Sequence, residues 1–218
     1  MHTPLIPAAT LVLVRDSHPG IETLLLQRHS QASFLAGHWV FPGGMIEAQD
    51  QAGNTINAAR HAAIRETVEE CGIRVHANDC LYLSRWIAPD IAPKRFDTHF
   101  FVAASASGTL ALQASEIRDA AWLAPATAIE RHYRQQLPML PPTLVTLLLL
   151  AEFNDCNSLL QYLQDRPADC FAPKAGFWQD QLVMLYAGDS GYASGDASVN
   201  ERLHRCINTA EGWRYYRQ

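Results

Sequence analysis

Three carboxylates, Glu66, Glu69 and Glu70, crowd into the segment Arg65-Glu66-Thr67-Val68-Glu69-Glu70-Cys71-Gly72-Ile73. If the segment is helical, each residue turns the chain by about 100°, so Glu70 lies roughly 40° from Glu66 and Glu69 roughly 60° to the other side. All three then share one face. Like charges placed this way repel one another in a bare helix. Hard divalent cations such as Mg²⁺ take carboxylate oxygens and convert that repulsion into ligation. An acidic helix face is ordinarily just solvated, but three neighbouring features favour a metal site here. Arg65 stands one residue before the first Glu, where it can brace the carboxylates. Gly72 suits the left-handed position that closes a helix. Gly43-Gly44 supply a bare backbone turn whose carbonyls can also reach a cation. The same projection puts Ile64, Val68 and Cys71 on the opposite face for burial against a sheet, and brings Ala59, Ala62 and Ala63 round to the carboxylate side.

With Phe41-Pro42-Gly43-Gly44 ahead of it, this segment resembles the Nudix hydrolases, whose box reads Gly-x5-Glu-x7-Arg-Glu-U-x-Glu-Glu-x-Gly-U with U apolar. The chain departs from the box at three points. Asp50 stands where the family has Glu, with Glu47 nearby. Arg65 follows Asp50 by 15 positions instead of eight, a surplus assigned to a longer loop around Gly53-Asn54-Thr55. Thr67 replaces the usual aliphatic residue. The resemblance implies an α+β fold of the α/β/α Nudix sandwich type. It also implies hydrolysis of a nucleoside diphosphate linked to another moiety, with Mg²⁺ or Mn²⁺ as cofactor. Carried over by position, Glu66, Glu69 and Glu70 are the metal ligands with a Gly43 or Gly44 carbonyl. Glu66 and Glu69 are also catalytic, and Arg65 orients the carboxylates. A general base or further metal ligand often comes from a later loop in this family. Glu116, in Ala114-Ser115-Glu116-Ile117, is the candidate, and Asp119 is the reserve.

Further stretches narrow the resemblance. Leu24 to Arg28 with Gly37 to Gly44, then Arg95 to Phe101 and Leu137 to Thr143, look like bacterial relatives of the mammalian peroxisomal coenzyme A diphosphatase. Coenzyme A carries a 3′-phosphate, which calls for cations; Arg28, Lys94 and Arg95 are available. Its pantetheine arm calls for an apolar groove, which Trp86, Phe96 or the Leu-rich segment after Pro142 can supply. His38 is the one histidine near the box and is a substrate-contact candidate. A pyrophosphatase for ADP-ribose, NADH or dinucleotides would use the same box, and so would a non-catalytic nucleotide-binding regulator, although that class usually has a broken box. Cys71 as a nucleophile is the weaker alternative, because its helical position faces the sheet.

The elements that must hold these residues are legible in outline. Ala8 to Arg15 and Glu22 to Arg28 read as paired strands around His18-Pro19-Gly20. Trp39-Val40-Phe41 is a short strand running into the Gly-Gly turn, and the carboxylate helix runs from about Asn57 to Cys71. Leu81 to Ile87, Phe96 to Ala103, Leu110 to Leu112 and Ala120 to Leu123 read as strands, and Pro125 opens a helix. Residues 1–137 are assigned to the core. Residues 138–218 are assigned to a mostly helical extension packed on it, with helices at Thr143 to Phe153 and Ser158 to Gln164. Gln181 to Tyr186 and Arg202 to Ile207 are strand candidates, and Gly188 to Asn200 reads as a mobile loop.

The 218 residues, 48% hydrophobic, suffice for one substantial core. A net charge of −5 argues against a duplex nucleic-acid binder. It does not disfavour a nucleotide-containing small molecule whose phosphates are met by a metal. Five cysteines without a Cys-x-x-Cys pair argue against a zinc or disulfide framework and fit a reducing cytoplasm. Met1-His2-Thr3-Pro4 lacks the basic start of a signal peptide, and no apolar run is long enough for a membrane span. A homodimer is compatible with all of this.

Overall fold

A computed structural model describes residues 4–32, 34–51, 53–104 and 109–218; Met1-His2-Thr3 lie outside the described residues. The main sheet is built on β1 (Ile6–Ser17), whose Leu11 and Leu13 bury on one face and Val12 and Val14 on the other. A strand apolar on both sides belongs at the centre of a sheet with both faces covered. One edge of β1 pairs in parallel with β6 (Phe96–Ala104). Its other edge is shared by β2 (Gly20–Arg28) near one end and β4 (Gly43–Met45) near the other. β2 also pairs with β3 (Trp39–Val40) and β7 (Ile117–Leu123), and β5 (Leu81–Ile87) pairs with β6. Gly43-Gly44 is therefore a sheet strand and not the turn read from the sequence. Leu110 to Leu112 forms no strand; it runs along the end of the carboxylate helix, with Ala111 N–H donating to Cys71 O.

The carboxylate helix α1 (Thr55–Cys71) starts at Asn54, whose side chain accepts from Asn57 N–H at 2.9 Å. It ends at Gly72, at φ 77°. The helix begins two residues before the Asn57 read from the sequence. As expected, Cys71 buries against the sheet, but Ala59, Ala62 and Ala63 join it there, while Ile64 and Val68 stay half-buried, Ile64 at the margin of that core. Small side chains let the helix axis approach the strands closely, and that packing outweighs the larger apolar residues in setting which face turns inward. Ile64 and Val68 instead floor an open groove with Asp50, His61, Arg65, Glu69 and Arg74.

The opposite face carries α2 (Pro125–Tyr133), α3 (Pro141–Leu150) and α4 (Cys156–Gln164), completing an α/β/α sandwich. α3 buries Leu144, Leu147 and Leu150 fully, so the Leu-rich segment is core and lines no groove. The extension is not mostly helical. Beyond α4, β8 (Asp169–Phe171) joins the main sheet parallel to β5. There Phe171 stacks on Trp86 with ring centroids 3.9 Å apart. Then β9 (Lys174–Trp178), β10 (Gln181–Leu185), β11 (His204–Thr209) and β12 (Gly212–Arg217) form a separate antiparallel sheet. Met184, Cys206 and Trp213 join this sheet to the main core. Val183, Leu185 and Ile207 on its other face pack with Ala197 from the 188–200 segment. That segment is folded around Asp189, which takes N–H bonds from Gly191 and His204 and both ends of the Arg205 fork.

Candidate active site

The site is assembled where α1 crosses β4. Leu11 N–H donates to Pro42 O and Ile46 N–H to Pro7 O, with Ala9 opposite Gly44 between them. Alternation along an antiparallel ladder turns the Gly44 backbone toward Ala9 and the Gly43 backbone away from it, toward the helix. Gly43 N–H accordingly donates to Glu70 Oε2 at 3.0 Å. In an extended strand the Gly43 carbonyl points to the same side, whereas the Gly44 carbonyl belongs to the ladder. Both positions need glycine for space. A Cβ on Gly44 would lie 2.2 Å from Glu66 Oε1, and one on Gly43 2.4 Å from Ala9 O.

Arg65 is the hub. Its Nε and Nη2 donate to the two oxygens of Asp50, each at 3.0 Å. Nη2 also reaches Met45 O at 3.0 Å. Nη1 donates to Glu66 Oε1 at 2.9 Å and Glu69 Oε2 at 3.1 Å. Asp50, on a short 3-10 turn (Ala48–Asp50), is thus the loop partner of Arg65, and the shift of the box spacing is absorbed without losing it. Glu47 assists through its N–H, which donates to Asp50 Oδ2 at 2.8 Å. Burial works to raise the Asp50 carboxyl, but the Arg65 fork and the Glu47 N–H outweigh it and hold it below the usual carboxylate range.

Glu70 faces the opposite situation. It is only 2% exposed, and burial pushes its carboxyl up to about 8. The Gly43 N–H and Arg28 oppose that rise, while Glu66 and Glu116 add to it. Burial also raises Glu66, against the pull of Arg65. Arg28 ends β2, where a bulge in the β7 partner skips from Asp119 to Ile117. Its Nη1 lies 3.6 Å from Glu70 Oε1 and its Nη2 3.8 Å from Glu116 Oε2. Glu116 is therefore brought to the carboxylates. Asp119, the reserve candidate, turns its Oδ1 to the N–H of Ala120.

The donors suit a hard cation: carboxylate oxygens on α1, Glu116, and a backbone carbonyl on β4 whose glycines leave space that a Cβ would fill. Among the described residues, no three His, Cys, Asp or Glu side chains yet converge as a ligand set. The reason is visible. Arg65 holds Glu66 and Glu69, while the Gly43 N–H holds Glu70. It is the donor chemistry, oxygen-rich and acidic, that suits a hard divalent ion.

The remaining candidates fall elsewhere. His38 points its Nδ1 at Ala36 O. Trp86 is buried against Phe171 and cannot line a substrate groove. Lys94 is exposed, and Arg95 pairs with Asp90 at 2.7 Å. Phe96 packs on Phe34 at 5.1 Å between centroids, an aromatic contact that no motif in the chain singled out. Cys71 is fully buried with its thiol on Thr67 O and pushed up to about 11 by burial, so it is structural.

The NUDIX domain family profile matches residues 4–142. The chain belongs to this family and is a Nudix hydrolase. The family hydrolyses the pyrophosphate of nucleoside diphosphate derivatives and is generally dependent on divalent metal. A curated relative from Caenorhabditis elegans, nudix hydrolase 7 by name, is 22% identical over 206 residues, spanning 78% of this chain and 69% of that protein. The crystal structure of a NUDIX hydrolase from Alicyclobacillus acidocaldarius superimposes with a TM-score of 0.67 at 24% identity, covering 76% of this chain and 99% of that one. The NUDIX domain of Shewanella oneidensis NrtR, solved with ADP ribose, gives 0.52 at 16% identity, covering 67% of this chain and 86% of that one. Both structural likenesses concern the fold.

Proposed function

We propose that this enzyme cleaves the diphosphate bridge of coenzyme A or acyl-coenzyme A, with Glu66, Glu69, Glu70 and the Gly43 carbonyl holding Mg²⁺ or Mn²⁺. The observation that carries the catalytic part is the Arg65 hub, which ties Asp50, Glu66 and Glu69 into one rigid set beside a nearly buried Glu70. A bound divalent cation supplies charge screening at the bridge and lowers the pKa of a water ligand. The chain's own part is positional. Arg65 orients the carboxylates and need not touch substrate. Glu116, about half exposed beside Arg28, is placed to accept the proton of an attacking water.

The coenzyme A reading is supported by how three sequence stretches gather in space. Arg28 N–H donates to His38 O, Trp39 N–H donates to Pro138 O, and Phe34 meets Phe96. The segments around Arg28, Gly37 to Gly44, Arg95 and Leu137 to Thr143 thus meet at one end of the molecule. Lys94 and Arg95 are the cations there suited to a 3′-phosphate, and Phe34 with Phe96 offers an apolar flank.

The test is a substrate panel with Mg²⁺ or Mn²⁺ read by mass spectrometry. Coenzyme A should give 3′,5′-ADP and 4′-phosphopantetheine. Dephospho-coenzyme A should turn over roughly 10- to 150-fold less efficiently, the worth of a charge-assisted hydrogen bond. Ready hydrolysis of ADP-ribose or NADH with coenzyme A untouched overturns the substrate assignment.

A further inference from the structure

Arg28 is the one cation lodged between Glu70 and Glu116 among the described ion pairs, yet it is poorly bonded. Its two Nη atoms stand 3.6 and 3.8 Å from the carboxylate oxygens, beyond hydrogen-bond distance. Its Nε is buried with no partner. Arg65 shows what a settled guanidinium looks like in this site, with contacts to Asp50, Glu66, Glu69 and Met45 at 2.9 to 3.1 Å. The Arg28 backbone is fixed, since its N–H donates to His38 O and its carbonyl accepts from Gly37 N–H. Only the side chain is left loosely held.

We propose that Arg28 is an exchangeable counter-ion that competes with the divalent cation for the Glu70 carboxylate, and that turns its guanidinium to the diphosphate of the substrate when the cation takes Glu70. The proposal rests on the metal-site reading above. Two positive groups cannot share that carboxylate without mutual repulsion, so cation entry favours release of the side chain. A phosphate oxygen would then give the stranded Nε–H an acceptor, and a guanidinium fork matches phosphate geometry. Arg28 would make metal binding weaker when substrate is absent and productive when it is present.

The test uses the full chain, freed of metal by chelation, with Mn²⁺ binding followed by the electron paramagnetic resonance of free Mn²⁺ and by calorimetry. Arg28→Met should bind Mn²⁺ about tenfold more tightly than wild type, and Arg28→Lys should stay within about twofold of it because the charge is retained. With Mn²⁺ saturating, Arg28→Met should bind α,β-methylene-ADP about tenfold more weakly. The direction separates this role from a structural one, since damage to the site loosens metal binding. Should Arg28→Met not fold, Arg28→Gln gives the same contrast. Unchanged or weaker Mn²⁺ binding in a folded neutral variant overturns the counter-ion role while leaving the metal site standing. If wild type and variants alike bind no Mn²⁺, the metal-site reading falls as well.

Discussion

Two charged centres in this protein are built on opposite rules. In the C-terminal sheet Asp189 and Arg205 are 0% and 3% exposed, and their charges cancel. The Arg205 fork takes both Asp189 oxygens and also reaches Ala197 O and Val199 O. The α1 centre has Asp50, Glu66, Glu69, Glu70 and Glu116 against Arg65 and Arg28, an excess of negative charge with Glu70 almost sealed from water. A saturated and neutral pair holds a loop in place. An over-charged cluster is costly unless a cation joins it. The contrast separates a centre that stabilises from one that works.

The largest expected effect breaks the second centre. Glu69→Gln or Glu70→Gln should lower kcat roughly 10²-fold or more with Mg²⁺ or Mn²⁺, because an amide is a poorer ligand for a hard cation. Steady-state assays and circular dichroism on the same samples check it, and a folded variant with undiminished turnover would refute the role. Arg205→Met should do the reverse. Stranding Asp189 in the interior should remove about 3–5 kcal/mol of stability, read by urea melts, with no role at the diphosphate.

Arg65→Lys sharpens the comparison, since an ammonium cannot reproduce the fork on Asp50. We expect kcat to fall well over tenfold with KM changed less; a large KM increase at normal kcat would place Arg65 on the substrate instead.

The two centres also differ in pH response. Burial would raise the Asp189 carboxyl, but Arg205 and the N–H groups of His204 and Gly191 prevail and hold it below its ordinary range. A lowered folded-state pKa stabilises above the unfolded value and is lost as pH falls through the folded one. Wild type should therefore lose stability below about pH 4 more steeply than Arg205→Met. Parallel melting curves for the two proteins would show that linkage to be absent. The smallest effect belongs to neither centre. Asn54→Ala removes the α1 cap and should cost about 1 kcal/mol while sparing kcat, which thermal melts and turnover together would show.

The carboxylate cluster and its helix were legible in the chain because they depend on local spacing: the 3.6-residue turn puts Glu66, Glu69 and Glu70 together, and Gly72 stops the helix wherever it packs, whereas the sandwich was implied only by the family resemblance. The face of α1 that turns inward was not legible. Hydrophobicity pointed to Ile64 and Val68, whereas alanines met the sheet because close approach over Gly43 and Gly44 gains more than bulk. The tail misled for a related reason. The strand candidates at Gln181 to Tyr186 and Arg202 to Ile207 do fall on strands, but Asp169–Phe171 and Lys174–Trp178, three and five residues long, carry too little period to be seen, and so the extension reads from the sequence as mostly helical. Asp50 shows the same division. Its carboxylate was plain in the sequence, but only the folding of a lengthened segment returned it to Arg65 across 15 residues. Residue type and local spacing decided what chemistry the chain carries. Long-range packing decided which charges would be neutralised, and so which centre was left with work to do.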